Sequence, residues 1–329
     1  MKRKKRTVRS KRKQDLDLES GFFAKVRKNA PIVIMIAAIL GLVYAAYDYH
    51  SGIEDLKSQI DSSLRKADSL RYAGLFEEAI DEYEDILKIV SSKKFPEEYA
   101  RTQNNLGTAY NGLAEVRDKE NNLRKTINAY QEALKIYTVE SYPIGYATIQ
   151  NNLGTAYNGL AEVRDKEDNL KKAINAHQEA LIIYMVEIDL MGYAMTLDNL
   201  GNAYVNLAKV GDKEDNLRKA INAFQEALKI YTVESYPILY AMTQHNLGTA
   251  YNDLAEVKDK EDNLRKAINA YQEALKFRKV ENDPTDYAMT QNNLGTAYND
   301  LAEVRDKEDN LRKAINAYQK ALNIYTIKN

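Results

Sequence analysis

The sequence contains no cysteine and only three histidines, and it is poor in proline and glycine for its 329 residues. Without cysteine there can be no disulfide, no thiolate metal site and no cysteine nucleophile. The P-loop, the Gly-x-Gly-x-x-Gly fingerprint and the His-Glu-x-x-His motif are also missing. The sequence therefore predicts a protein that is not an enzyme, with no catalytic residues, no cofactor and no metal site. The scarcity of proline and glycine favours long helices with few tight turns.

Charge is distributed very unevenly, although the formal net charge is only -1. Residues 1–29 carry twelve Lys or Arg and three acids, so the remainder of the chain is acidic. We interpret this tail as basic and cytoplasmic. Nucleic-acid binding is disfavoured, because no aromatic residues interleave with the charges to stack on bases. Contact with anionic lipid headgroups is compatible with the tail.

An uncharged run of nineteen residues follows the tail, from Asn29 to Tyr47. At 1.5 Å per residue such a run spans a hydrocarbon core of about 30 Å, which predicts one transmembrane helix over residues 30–49. Lys25, Arg27 and Lys28 precede it and acids follow it. The positive-inside rule then predicts a cytoplasmic N-terminus and an extracytoplasmic remainder of the chain.

Two alternatives for this segment stay open. Val43-Tyr44-Ala45 is an acceptable signal-peptidase site, although a basic region of nearly thirty residues before the apolar run is long for a signal peptide. In a mitochondrial outer membrane, the same layout would resemble an import receptor whose larger domain faces the cytosol.

Five copies of a 47-residue unit make up residues 99–329. The dipeptide Tyr99-Ala100 recurs with the tyrosine at 146, 193, 240 and 287, and each copy contains Asn-Leu-Gly and then Ala-Tyr. Within a unit, apolar and small residues fall on two helical stripes, which predicts two amphipathic helices per unit. Residues 54–98 form a shorter unit of the same kind. The array ends without a polar capping helix, so its C-terminal end is expected to self-associate or to dock on a partner.

Local signals place the helix boundaries. Proline is tolerated at the first position of a helix, and aspartate is a favoured N-cap. Gly107 and its equivalents lie mid-helix, where glycine costs about 1 kcal/mol, which predicts a close approach of two helix backbones. First helices are predicted to start at Pro96, Pro143, Pro237 and Pro284, and second helices to be capped by Asp168, Asp215, Asp262 and Asp309.

The unit resembles the tetratricopeptide repeat. Leu294, Gly295 and Tyr298 match the Leu-Gly-x-x-Tyr of its first helix, and Ala314, Tyr318, Ala321 and Leu322 match the pattern of its second. The resemblance covers residues 54–329, in the long-unit form found in kinesin light chains and many prokaryotic arrays. It implies an all-α, right-handed α-solenoid of helix-turn-helix units, here preceded by the transmembrane helix. In such a solenoid the first helices line a concave groove that binds protein or extended peptide.

The candidate ligand-binding groove is a ladder of asparagines, one per unit, whose carboxamides offer a donor and an acceptor to any peptide unit. The alternatives are that these side chains tie neighbouring helices together, or that they are alike only because the units are duplicates. The ladder is Asn105, Asn152, Asn199, Asn246 and Asn293. The flanking groove positions are Asn104, Asn151, Asp198, His245 and Asn292, together with Thr108, Thr155, Asn202, Thr249 and Thr296.

The third unit differs from the others. Leu197, Asp198 and Val205 replace Gln103, Asn104 and Asn111, and Leu190 replaces the proline. This predicts a more apolar, selective patch. His177 is expected to pack in the core in place of a tyrosine, whereas His245 is expected to be a solvated groove residue. The charged loops between the helices are predicted to cap the helices and not to bind cations.

The most direct hypothesis for function is a single-pass scaffold that binds protein ligands in its groove. A self-associating structural array without a peptide ligand is the alternative, and a regulatory part of a larger enzyme system is the third possibility.

Overall fold

The computed structural model describes residues 35, 38–39, 41–45, 50–187 and 189–327. Contacts divide the chain into Met1–Ser63 and Leu64–Asn329, and the 47-residue repeats lie in the second unit. The basic tail 1–29 and most of the predicted transmembrane segment 30–49 lie outside the described residues. In the part that is described, no helix combines the length and the apolar character needed to cross a membrane.

The protein is all-α, and the described residues contain no strand. They form a helical-repeat solenoid in which a first helix leads through a short loop into a second helix. The short unit consists of α1 (50–72) and α2 (Phe76–Ile89). Repeats 1 to 5 consist of α3 (Pro96–Ala114) and α4 (Lys119–Leu134), α5 (Pro143–Leu160) and α6 (Lys166–Val186), α7 (Leu190–Ala208) and α8 (Lys213–Ala227), α9 (Pro237–Ala255) and α10 (Lys260–Phe277), and α11 (Pro284–Ala302) and α12 (Lys307–Ile327).

The first helices begin where the prolines predicted them. Pro96, Pro143, Pro237 and Pro284 each occupy the first turn, where a missing N–H leaves no hydrogen bond unmade. Repeat 3 has no proline and uses a side-chain cap instead, because the Asp189 carboxylate accepts the Gly192 N–H at 2.9 Å.

The second helices begin three residues earlier than predicted, so the proposed caps were wrong. The capping position is held by Asp118, Asp165, Asp212 or Asp259. Asp118, Asp165 and Asp259 have a left-handed backbone with φ near +40°, a conformation that aspartate tolerates. The predicted caps lie in the first helical turn instead, where their negative charges interact favourably with the positive end of the helix dipole. They are Asp168, Asp215, Asp262 and Asp309.

Helices α2 to α12 pack in two ranks. Each helix contacts the next one along the chain, and each first helix from α3 to α9 also contacts the first helix of the following repeat. Among α2 to α12, no second helix makes comparable contacts with another second helix. The first helices therefore form the rank with direct contact from repeat to repeat.

A glycine in each first helix lies against a ring of the second helix. A Cβ built on Gly201 would be 2.5 Å from the Phe224 ring, and one built on Gly248 would be 2.7 Å from the Tyr271 ring. Gly107, Gly154 and Gly295 meet Tyr130, His177 and Tyr318 in the same way. The close approach predicted at these glycines is thus made by a side chain and not by a second helix backbone.

The loops of neighbouring repeats are joined by two ion pairs, which we call the loop clasp. Between repeats 1 and 2, Lys119 Nζ lies 2.7 Å from Glu162 and Arg164 lies 2.9 Å from Glu120. Repeats 4 and 5 are joined by the equivalent pairs Lys260–Glu303 at 2.6 Å and Arg305–Glu261 at 2.7 Å. Between repeats 3 and 4 the pairs are Lys213–Glu256 at 2.6 Å and Lys258–Glu214 at 3.8 Å.

The junction of repeats 2 and 3 is different. There, Lys209 replaces the clasp glutamate and Gly211 replaces the clasp cation. Both pairs are therefore missing from this junction of the described chain. Lys209 Nζ instead bonds Asn206 Oδ1 at 3.0 Å, and Glu167 pairs with Lys171 inside α6 at 2.6 Å.

Candidate functional site

One line of side chains along each first helix is largely open to solvent. In α11 this line carries Thr285, Met289, Asn292, Thr296 and Asn299, all exposed or partly exposed. Spacings of four and three residues place them on one line along the helix. We call this line, with its equivalents 47 residues apart in α3, α5, α7 and α9, the open stripe. Because consecutive first helices are in contact, their open stripes lie side by side, although the stripe positions Asn151, Val205 and His245 are buried.

The N-terminal half of the open stripe carries at least one exposed apolar side chain in each first helix from α5 to α11. Methionine recurs at one position in three consecutive repeats, and methionine or isoleucine stands one turn before it in α7 and α9, whereas α11 has Thr285 there. In α3 the two equivalent positions are Glu97 and Arg101. The apolar row consists of Ile144, Met191, Met195, Ile238, Met242 and Met289, with exposed fractions of 38%, 41%, 41%, 73%, 39% and 39%.

The asparagine ladder lies beside the open stripe and ties first helices together. Asn199 Nδ2 donates to Asn151 Oδ1 in the preceding first helix at 3.1 Å. Asn246 Nδ2 lies 3.3 Å from an Asp198 oxygen, and Asn105 Nδ2 donates to Asp68 of α1 at 3.0 Å. These three amides therefore tie neighbouring first helices together, and ligand binding by the ladder stays a prediction. Asn152 and Asn293 hold the same helical position and are also partly buried.

The flanking positions differ in exposure. Asn292 is exposed, and Asn104 and Asp198 are partly exposed, whereas Asn151 and His245 are buried. Asn151 has a structural role, since its Oδ1 also lies 3.0 Å from His177 Nδ1.

His245 was expected to be solvated, and that prediction was wrong. Only 6% of the residue is exposed, because α11 covers it and Thr290 Oγ1 lies 3.0 Å from its Nδ1. Burial, and then the charge of Arg278, lowers the pKa of His245 to about 4. Its neutral ring is therefore part of the packing between α9 and α11.

His177 packs in the core, as predicted. It is fully buried against Gly154, and burial lowers its pKa to about 3. In the repeats that keep tyrosine at this position, the hydroxyl bonds a threonine of the open stripe: Tyr130 with Thr108 at 3.2 Å, and Tyr271 with Thr249 at 3.2 Å. The threonines predicted to line the groove thus also fix the second helix.

The predicted apolar patch of repeat 3 is not on the surface. Leu197 and Val205 are both buried and belong to core clusters, because they pack between helices instead of facing solvent. The exposed methionines of this repeat are instead Met191 and Met195, which sequence reasoning missed. The signal that could have found them is the recurrence of Met195, Met242 and Met289 at intervals of 47 residues.

Asp198 is the residue of repeat 3 that alters the chemistry of the open stripe. Asn202 Nδ2 donates to it at 3.2 Å, Asn246 donates from α9, and Thr243 is a further hydrogen-bond partner. These donors are neutral. Burial raises the pKa of the Asp198 carboxyl, and the three hydrogen bonds only partly oppose that shift. Among the described residues, Asp198 included, no three His, Asp or Glu side chains are arranged to hold a metal ion.

Comparison with known proteins identifies the repeats. Models of the tetratricopeptide repeat match residues 193–232, 241–284 and 288–324. The chain is similar in fold to BtubC (BKLC) from P. vanneervenii, with 19% identity, 82% of this chain and 92% of that chain covered, and a TM-score of 0.50. It is similar to the apo form of RapI, with 14% identity, 82% and 98% coverage, and a TM-score of 0.51. No curated protein sequence matches the chain significantly.

Proposed function

We propose that this array of tetratricopeptide repeats is a scaffold that binds segments of other proteins along its open stripe and acts by binding alone. The observation that carries the proposal is the apolar row of α5 to α11, whose six side chains are 38–73% exposed. Exposed apolar side chains that recur side by side are characteristic of interaction surfaces, and methionine adapts well to varied partners.

The two halves of the open stripe suit a peptide segment. The apolar row takes apolar side chains. The C-terminal half offers hydroxyl and carboxamide groups, such as Thr296 and Asn299, to the polar groups of the same ligand. First helices pack about 8–10 Å apart, so a ligand with apolar groups at that interval would contact successive repeats.

We further propose that the scaffold is anchored by a transmembrane helix over residues 30–49, with a cytoplasmic N-terminus and an extracytoplasmic array. Support comes from the uncharged run Asn29 to Tyr47 and from the basic residues before it. A C-terminal reporter fusion read together with protease protection tests this arrangement. Digestion of the array by a protease that reaches only the extracytoplasmic side supports it, and digestion only after the membrane has been opened contradicts it.

Peptide binding is tested by measuring which members of a set of synthetic peptides bind the full-length protein in nanodiscs. Met195→Glu or Met242→Glu should abolish the binding of most captured peptides, because a charge would stand in the apolar row. The matched control is Asn175→Glu, which places the same charge on the exposed side of α6. Equal binding by wild type, stripe variants and control would reject the open stripe as the ligand site.

A specific feature of α12 favours self-association as a second candidate function. Ile315 is 55% exposed, whereas its equivalent in repeat 4, Ile268, is 6% exposed. Tyr318 and Leu322 are exposed on the same face. The mass of the full-length protein measured against concentration tests this idea. A mass that rises with concentration and falls in Ile315→Lys supports it, and a constant monomer mass excludes it.

A further inference from the structure

The open stripe of repeats 2 to 5 contains one negatively charged side chain, Asp198. At the equivalent position the other repeats have Asn104, Asn151, His245 and Asn292. Asp198 therefore changes a neutral row into one with a charge in the middle of the array. Its position is next to Met195, one helical turn along the stripe, where the apolar row meets the polar row.

The charge of Asp198 is not neutralised by the groups that hold it. The described residues that hydrogen-bond the carboxylate are Asn202, Asn246 and Thr243, which carry no charge. The field of the carboxylate reaches neighbouring groups: burial first, and then the charge of Asp198, raises the pKa of Tyr231 to about 12. A partly desolvated anion held by neutral donors is stabilised when a cation is brought to it.

The surroundings of Asp198 also limit what can bring that cation. Met191 and Met195 lie beside it on α7, and Ile238 and Met242 lie on the neighbouring first helix α9. A free metal ion or a highly charged segment would leave these apolar side chains without a partner. A segment with one basic side chain between apolar side chains would satisfy both the charge and the apolar row.

Resting on the proposed function, we propose that the ligand of the open stripe is a protein segment with a Lys or Arg that pairs with Asp198. Apolar side chains on either side of that basic residue contact Met191 and Met195 of α7 and Ile238 and Met242 of α9. Charge-assisted hydrogen bonds are the stronger kind, and arginine can make two of them to one carboxylate. This pairing would set the position of the ligand along the array as well as its affinity.

Three synthetic peptides of twelve residues test the inference. They share leucines three and four residues to either side of a central Arg, Gln or Glu. Binding to the full-length protein in neutral phosphatidylcholine nanodiscs is measured by fluorescence anisotropy, with empty nanodiscs as the blank. We expect the Arg peptide to bind about tenfold more tightly than the Gln peptide and the Glu peptide to bind most weakly. This preference should shrink with added salt.

Two variants assign the preference to one residue. Asp198→Asn installs the residue usual in the other repeats and should make the Arg and Gln peptides bind equally. Adding Asn292→Asp to that variant places the carboxylate beside Met289 in repeat 5 and should restore a preference for the Arg peptide. Thermal unfolding shows whether each variant is folded.

The outcomes separate this inference from the proposed function. If wild type binds the three peptides equally, the basic-residue site is wrong while binding on the open stripe stands. An Arg preference that persists in Asp198→Asn also overturns the site. If no peptide binds in any variant, the proposed function fails, and the inference fails with it.

Discussion

At the scale of single residues, the two helices of each repeat are joined where a ring of the second helix packs against a glycine of the first helix. Gly201 and Phe224 show this most tightly, because the ring is fully buried and cannot move away from an added side chain. The pairing explains why glycine occupies a mid-helix position in every repeat despite its poor helix propensity.

Gly201→Ala should destabilise the protein. The new Cβ would be 2.5 Å from the Phe224 ring. Overpacking costs about 1–3 kcal/mol, and the better helix propensity of alanine offsets about 1 kcal/mol of it. The control is Gly159→Ala, whose Cβ would meet only the mobile end of Leu123 at 3.3 Å. Urea unfolding should show a clear loss for the first variant and little change for the second. Similar effects of both would contradict the ring-on-glycine explanation.

His177 should make stability depend on pH. Burial lowers the pKa of His177 to about 3, whereas in the unfolded chain it is about 6.5. The unfolded state therefore binds more protons below pH 6.5, and stability is lost as the pH falls from there towards 3. At pH 5 the loss should be about 2 kcal/mol relative to pH 8.

The measurement is urea unfolding between pH 8 and pH 5 for wild type and His177→Tyr, which restores the residue of repeats 1, 4 and 5. His245 is present in both proteins, so its own contribution cancels. The variant should lose less stability on acidification. Parallel pH profiles would show that His177 is not responsible.

At the scale of helices, the start of α7 is the departure from the rule followed by the other first helices. Asp189 caps it through its side chain, and Leu190 stands at the position of the prolines. The backbone there is already suited to proline, because position N1 needs no hydrogen-bonded N–H.

Leu190→Pro should therefore be tolerated and should stabilise the protein by about 0.5–1 kcal/mol, since proline restricts the unfolded chain. Met195→Pro in the same helix is the control. It would remove a helical hydrogen bond and cost about 3 kcal/mol or more. Circular dichroism during thermal unfolding distinguishes the two. Destabilisation by Leu190→Pro comparable to that by Met195→Pro would refute the assignment of Leu190 to N1.

These elements show which parts of the structure could be predicted. The helix pairs and the proline starts follow from local sequence, because periodicity and the missing N–H act within one helix. The burial of His245, by contrast, depends on the next first helix. The caps of the second helices were misplaced because the left-handed backbone of Asp165 and Asp259 has no sequence signal of its own. The apolar row was missed because its side chains come from different repeats, and the sequence of a single repeat does not show that they lie side by side.

At the scale of the whole array, stability is set by the junctions between repeats, since each repeat contacts only its neighbours. The loop clasp joins repeats 1 to 2, 3 to 4 and 4 to 5, and it is missing between repeats 2 and 3. Asp198 and the exposed Met191 and Met195 belong to the repeat that begins at this junction. This junction therefore lacks the ion pairs found at the others, although α6 and α7 pack on each other more extensively than α4 and α5, α8 and α9 or α10 and α11 do.

Lys209→Glu with Gly211→Arg should restore the clasp, because the new carboxylate and the new guanidinium would then stand opposite Lys166 and Glu167. A side chain added at position 211 has room, since the nearest atoms would lie 3.5 Å from its Cβ. Two exposed ion pairs contribute about 0.5–1 kcal/mol together, an effect that salt reduces. Hydrogen exchange of α6 and α7 should slow in the double variant.

The matched control, Glu256→Lys with Lys258→Gly, copies the gap into the junction of repeats 3 and 4 and should speed exchange in α8 and α9. If neither change alters exchange at its own junction, the loop clasp does not determine how tightly neighbouring repeats are held.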